Sequence, residues 1–319
     1  MNTDYGRGVR GVMQQIDKRK SLGKSKIIKT PGERIFNFFN IMLMLFVCFI
    51  TIYPFINTCA ISFNEGPDAL KGGIYFFPRK FTLKNYKEIF ADETIIRAYA
   101  ITISRTVIGV IVSVLITGMF AYGLSKPNIV FKKFYLMVCV IGMIFNAGLI
   151  PTYMLYKDVG LLNSYAVYIL PYAVSIWNMI IMKTFFENLP AELEQSAMVD
   201  GASTFQVFFM ITIPISMQII ATMCIFNGVA QWNSWFDAYM FNTRRPELQP
   251  VQTYLYKVIA LSQAQTNSAA EAELLERRKV NVVTIRAATV MVTVVPITFI
   301  YAIFQKHFTQ GIMIGSLKS

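Results

Sequence analysis

The residues whose types and spacing suggest chemistry lie in one polar interruption, Glu187–Pro214, reading ENLPAELEQSAMVDGASTFQVFFMITIP between two long apolar runs. Glu187, Glu192, Glu194 and Asp200 are acidic, and neither Lys nor Arg occurs from Thr184 through Thr243. Such a set can be a solvated loop between helices or a docking element that another protein grips. Pro190 suits a first helical turn, where its missing N–H costs nothing, and Glu192 and Glu194 complement the positive end of that helix. Gly201 lets the chain turn at positive φ. Ser203 and Gln206 have the S-x-x-Q spacing of a capping box and restart a helix that runs to Pro214. The stretch reads as two short helices hinged at Asp200-Gly201-Ala202, a compact knob.

Covalent and metal chemistry finds no comparable set. A Walker-type phosphate site needs G-x-x-x-x-G-K-[ST], because a glycine-rich turn must wrap the phosphates. Gly23-Lys24-Ser25 is the one GK[ST] string, and Lys18 stands where the first glycine belongs. The sole histidine, His307, lies in the C-terminal tail, and no H-E-x-x-H or G-x-S-x-G string occurs. Cys48, Cys59, Cys139 and Cys224 fall in or beside apolar runs without C-x-x-C spacing, as small buried hydrophobes do. No catalytic residue, metal ligand or cofactor is expected in this chain.

The elements that must position the polar stretch are membrane spans. Of 319 residues 55 % are apolar and 15 % charged, with mean hydropathy +0.47, against about 25 % charged in a soluble domain. The net charge of +12 invites a nucleic-acid reading, but nine of the thirty basic residues precede Ile35 and most others flank apolar runs. That is membrane-flanking charge, so the expected surroundings are lipid and no nucleic acid. A bilayer core of ~30 Å takes about 20 apolar helical residues. Six runs qualify: Ile35–Asn64, with Pro54 ending or kinking it; Ile101–Leu124, with Arg105 near its outer end and able to snorkel; Phe134–Tyr156; Leu161–Met182; Met210–Trp235; and Ala287–Phe304.

Orientation follows from the basic residues. Residues 1–34 are too long and too basic for a secretory leader, and the positive-inside rule holds them in the cytoplasm together with the 305–319 tail. The linker Ser125–Lys133, carrying Lys126, Lys132 and Lys133, falls on the same side, and so does Glu187–Pro214. An acidic segment on the side where Lys and Arg gather points to a protein partner. Residues 236–286 are expected outside, with a helix through LQPVQTYLYKVIALSQAQ and a solvated helical turn at Glu271–Lys279. Gly311 and Gly315 are expected to permit a tight fold of the tail.

The knob then matches something specific. Asp200-Gly201-Ala202, followed by I-x-I-P ending at Pro214, resembles the "EAA" coupling loop of binding-protein-dependent ABC importer permeases. GLIPTYMLYKDVGLLNSY at Gly148–Tyr165, QWNSWFDAYMF at Gln231–Phe241 and the tail FQKHFTQGIMIGSLKS extend the likeness over Ile35–Ser319. Together they look like the carbohydrate-importer branch related to the maltose-type smaller permease, in its polysaccharide- or lipoprotein-associated subgroup. The resemblance implies an all-α, six-span permease of the type I importer fold in a bacterial cell membrane, passing an oligosaccharide or glycan fragment inward. It also implies a second homologous permease, two ATPase subunits that bind ATP and Mg, and an extracellular or lipid-anchored sugar-binding protein.

On that pattern Glu194, Gln195, Ala197, Asp200, Gly201, Ala202 and Pro214 form the ATPase-coupling element, which moves as a rigid body when the ATPase dimer closes. The family's motif Glu falls at Gln195 here, with Glu194 one place earlier, so either residue can carry its contact. Small residues at Ala197, Gly201 and Ala202 suit close seating. Asn146, Asn178, Gln231 and Trp232 are candidates to line the substrate pathway, with Asn227, Asn233, Trp177 and Trp235 beside them; helix–helix hydrogen bonding or an interfacial aromatic belt is the alternative. The rival function is an ion-coupled secondary transporter, which would place ionisable residues at the midplane, where none is visible.

Overall fold

The computed structural model describes residues 30–145, 147–264 and 281–316, with backbone alone for 261–264 and 304–316. The chain divides into two compact units, residues 1–55 and 56–319. Helix α1 (Pro31–Ser62) opens on a capping box: Thr30 N donates to Glu33 Oε2 at 2.9 Å, and Glu33 N donates to Thr30 Oγ1 at 3.3 Å. Pro31 occupies the first turn, where no N–H is needed. Pro54 neither ends nor divides this helix, which continues to Ser62.

In the second unit the short helices α2 (Gly66–Ala69) and α3 (Lys84–Ala91) precede α4 (Glu93–Ser125), the helix on which the others pack. Asp92 caps α4 by accepting from Thr94 N at 2.8 Å. Its buried face is rich in small residues, among them Ala98, Gly109, Ser113, Thr117, Gly118 and Ala121, which let neighbouring backbones approach. The linker leads into α5 (Lys132–Ile144) and α6 (Leu149–Asp158), and two 3-10 turns, Tyr165–Tyr168 and Leu170–Tyr172, precede α7 (Ile176–Glu187). The knob holds α8 (Ala191–Val199), α9 (Thr204–Val207) and α10 (Ile213–Ile215). Then come α11 (Met217–Asn233), α12 (Phe236–Phe241), α13 (Val251–Ala264) and α14 (Val282–Ser316). Both α7 and α11 lie against α4, and α14 packs on α11 and α13.

Three helical segments, Pro31–Ser62, Glu93–Ser125 and Val282–Ile303, are long and apolar enough to cross a bilayer. The other three expected spans are bent pairs, so the described residues carry three spans, or up to six if each bent pair counts as one. The run expected over Leu161–Met182 bends by 43° between Tyr172 and Ile176, where Pro171 interrupts regular hydrogen bonding and Ser175 Oγ accepts from Asn178 N to start α7. The run expected over Met210–Trp235 turns by 86° at Ser216. The run over Phe134–Tyr156 is broken between Ile144 and Leu149, with Gly148 at φ +85°.

On the outer side of the expected topology, Asn85 ties three segments by donating to Ser62 O (2.8 Å) and Asn64 O (2.9 Å) and accepting from Thr284 Oγ1 (2.9 Å). The helix expected around LQPVQTYLYKVIALSQAQ is α13, and Val251 at its start is buried among Ile89, Ile95, Ala98 and Ala288. Glu271–Lys279 lies outside the described residues. The last helix runs past Phe304 to Ser316, so Gly311 and Gly315 stand in helical backbone rather than a tight turn.

Candidate coupling site

The knob is built as its residue types dictate. Pro190 is the N-cap of α8, and Glu192 and Glu194 occupy the first turn. The helix stops in a Schellman motif: Ala202 N donates to Ala197 O at 2.9 Å and Gly201 N to Met198 O at 3.1 Å. Gly201 sits at φ +86°, a conformation that costs a residue with a Cβ about 1–2 kcal/mol. A Cβ there would meet nothing within 4 Å. Within the chain, glycine is therefore required by the turn itself.

Ser203 and Gln206 complete the expected capping box: Ser203 N donates to Gln206 Oε1 at 2.8 Å, and Gln206 N donates to Ser203 Oγ at 3.4 Å. The restarted helix widens into a π-turn over Phe208–Thr212 before Pro214. The proline ring crowds the carbonyl four residues back and offers no N–H, and a wider turn relieves both.

Ala197 and Ala202 pack against a core made by Val114, Tyr122, Met182, Phe186, Val207 and Phe208. They face inward, fixing α8 to the bundle. Gln195, Asp200, Gly201 and Pro214 are exposed, as is Glu192. Val199, Met210 and Phe205 project outward at 87 %, 72 % and 68 % exposure, with Leu193 and Met198 beside them. Glu194 points the other way and pairs with Lys126 Nζ. Glu187 accepts from Lys132 Nζ and Lys183 Nζ, each at 2.8 Å. The basic linker and the acidic knob, assigned to one side of the membrane from separate arguments, are thus in direct contact.

The pathway candidates divide differently. Asn146 lies outside the described residues. Asn178 is buried in the first turn of α7. Gln231 is also buried, and its amide is spent: Oε1 accepts from Arg105 Nε (3.1 Å) and Nη2 (3.0 Å), while Nε2 donates to Tyr168 O at 3.1 Å. Trp232 Nε1 donates to Thr293 O at 3.3 Å, and its ring lines an apolar groove of about 370 Å³ between α4, α11 and α14. Trp235 stacks on Tyr256 with centroids 4.2 Å apart. Gln231 and Trp232 hold helices together rather than offering free polar groups to a passing sugar.

Arg105 is the residue the sequence placed wrongly. It does not snorkel: its side chain is fully buried, and Nη1 and Nη2 bond Asp237 Oδ1 (3.2 Å) and Oδ2 (2.5 Å). Its guanidinium lies 4.3 Å from the Tyr168 ring centroid. Gly109, one turn along α4, makes room for this cluster, since a Cβ there would stand 2.8 Å from Gln231 Nε2. The available signal was a pair of opposite charges, Arg105 and Asp237, each alone among apolar neighbours, because a buried charge needs a partner. Among the described residues no three His, Cys, Asp or Glu side chains gather to hold a metal.

Residues 100–314 match the family described as "Binding-protein-dependent transport system inner membrane component". The chain belongs to this family. The match covers the knob, the Arg105 cluster and most of α14, so this permease carries both polar centres inside the family's domain. The permease is 35 % identical to protein LplC of Bacillus subtilis over 91 % of its length and 97 % of LplC. It is 32 % identical to the polygalacturonan/rhamnogalacturonan transport system permease protein YtcP of the same organism, over 90 % of this chain and 99 % of that one. Among solved structures it resembles a chain of a bacterial ABC transporter involved in the import of the acidic polysaccharide alginate, with a TM-score of 0.82 and 28 % identity over 88 % of this chain and 99 % of that chain. The permease is a multi-pass inner-membrane protein and leaves ATP hydrolysis to a partner ATPase.

Proposed function

We propose that this permease imports an oligosaccharide, and that residues 187–214 seat in the ATPase and convert its closure into movement of the spans. The observation that carries this reading is the outward face of the knob. Val199 and Phe205 are exposed on either side of the Gly201 turn, and Glu192, Gln195 and Asp200 are exposed in the same short stretch. Apolar side chains held in the open on a capped, rigid turn are a docking face rather than a solvated loop. Gln195 is the residue positioned to take the motif contact, as a neutral hydrogen bond, because Glu194 is engaged within the chain.

The assembly proposed is a heterodimer with a second homologous permease, two ATPase subunits binding ATP and Mg, and an extracellular or lipid-anchored binding protein. LplC and YtcP span nearly the whole chain, and both YtcP and the alginate transporter are named for acidic polysaccharides. Uronate-bearing oligosaccharides are therefore the first cargo to try. The outer helix α13 supports contact with the binding protein, but Val251 and Thr253 on it are buried, so deleting 249–265 would also open the core. An ion-coupled mechanism would need a titratable group free to exchange its ion. Both oxygens of Asp237 are already held by Arg105, with Ala238 N adding a bond at 2.8 Å.

The reading is tested on the complex reconstituted in proteoliposomes with its ATPase and binding protein. Oligogalacturonides, alginate oligomers and neutral arabino- and galacto-oligosaccharides are offered in turn. ATP turnover should rise with one member and that sugar should accumulate inside. Turnover indifferent to every sugar and to the binding protein would contradict the assignment.

A further inference from the structure

Two of the four acids in the coupling stretch, Glu187 and Glu194, pair with lysines of this chain. Lys126 ends α4, and its Nζ pairs with Glu194 Oε2, while Glu194 Oε1 accepts from Thr212 Oγ1 at 3.4 Å. This pair is mostly out of water, with side chains 28 % and 15 % exposed. Lys126 Nζ also lies 3.8 Å from the centroid of the Tyr122 ring, which packs on Phe208 of the π-turn at 5.1 Å. Lys132 Nζ reaches Glu187 at 2.8 Å and the carbonyls of Ser125 and Lys126 at 3.4 and 3.3 Å. Charged hydrogen bonds thus join the end of α4, the start of α5, the end of α7, α8 and the π-turn.

We infer that Lys126 and Glu194 are positioning residues for coupling, a strut that carries displacement of α8 into α4. The inference rests on the reading of residues 187–214 as the ATPase-coupling element. A knob held by its two chain ends and by apolar packing of Ala197 and Ala202 has no fixed direction in which to push. A charge-assisted hydrogen bond is short and directional, and fixes register where apolar surfaces can slide. The strut ends on α4, the helix against which α7 and α11 pack. Motion received at α8 therefore reaches the centre of the bundle through a side-chain contact 68 residues apart in sequence. Sequence position is no guide here: Gln195 faces outward and its neighbour Glu194 faces the bundle.

The test uses the reconstituted complex, with labelled oligogalacturonide as cargo, or the neutral oligosaccharide of the same panel that stimulates the parent. With Glu194→Gln or Lys126→Met, the ATPase subunits should still co-purify, and sugar taken up per ATP hydrolysed should fall about tenfold, as for loss of one hydrogen bond to a charged group. Combining the two should cost no more than either alone. Lys126→Arg should keep uptake, since a guanidinium retains both the ion pair and the ring contact. Parent-like uptake per ATP in Glu194→Gln overturns the strut, as does a double variant whose loss is the product of the single losses. Loss of the ATPase subunits from Glu194→Gln also overturns it, by placing that carboxylate in the interface. Failure of the underlying coupling assignment looks different, because the unmodified complex would then show no sugar-stimulated ATP turnover.

Discussion

Two ion pairs anchor α4, one twelve residues into it and one at its C-cap, and they are made differently. Arg105 and Lys126 stand 21 residues apart, about 32 Å along a helix and close to the thickness of a bilayer core. Arg105 meets Asp237 through a bidentate fork with both side chains essentially dry, braced by Gln231 and Tyr168. Lys126 meets Glu194 through a single ammonium with part of each side chain in water. The dry, doubly bonded pair fixes one geometry deep in the bundle, whereas the single Lys126–Glu194 contact fixes the register of α8 against α4 with part of each side chain in water. On the proposed coupling role, the contrast separates a fixed end from a working end: the Arg105 cluster would set the bundle and the Lys126 pair would transmit.

The Arg105–Asp237 pair should respond most strongly to substitution. Arg105→Ala or Asp237→Ala leaves one buried charge unpaired and should cost about 3–5 kcal/mol, read as loss of folded permease in a detergent melting series. Arg105→Lys should not rescue it, because an ammonium cannot form the fork. A parent-like melting curve for Asp237→Ala would remove the distinction between the two ends. Gly109→Ala comes next, at about 1–3 kcal/mol, because Gln231 is held by Arg105 and Tyr168 and cannot yield to the new methyl.

The inner end should respond in function more than in stability. Gly201→Ala should cost about 1–2 kcal/mol through its positive φ, loosening the end of α8 and raising amide exchange at Ala202. Gly201→Trp should abolish transport while the protein still inserts, and sugar-stimulated ATP turnover at the parent rate would contradict that. Ser203→Ala should remove about 1 kcal/mol of capping, visible as faster amide exchange at Gln206. Glu194→Gln should likewise change the melting of the permease by only about 1 kcal/mol, because the amide oxygen can still accept from Lys126, however much it lowers uptake.

What could be read from the sequence was local. The Gly201 turn and the Ser203–Gln206 box depend on residues within a few positions of one another, and both stand as expected. The run Ile101–Leu124 was legible as a span from its length and apolarity alone, and the helix that carries it starts about two turns earlier, at Glu93. The bends were not, because the breaks near Pro171, at Ser216 and at Gly148 fall inside runs whose mean hydropathy is uninterrupted. Pro54 has the same residue type and leaves its helix continuous, so the proline alone does not decide. The Arg105–Asp237 bond spans 132 positions and the Lys126–Glu194 bond 68, and no local pattern specifies either. Gln231 and Trp232 looked free for a substrate only because their partners, Arg105, Tyr168 and Thr293, are distant in the chain.

On the proposed function, the exposed side of the knob at Val199 is cytoplasmic and seats in the ATPase. That placement is tested by a cysteine in place of Val199, in a chain whose four native cysteines are replaced. In membranes bearing the full complex that cysteine should cross-link to the ATPase subunit, with a yield that changes when nucleotide is added. It should resist an impermeant maleimide applied to intact cells. Labelling from outside, with no cross-link to the ATPase under any nucleotide condition, would contradict the account.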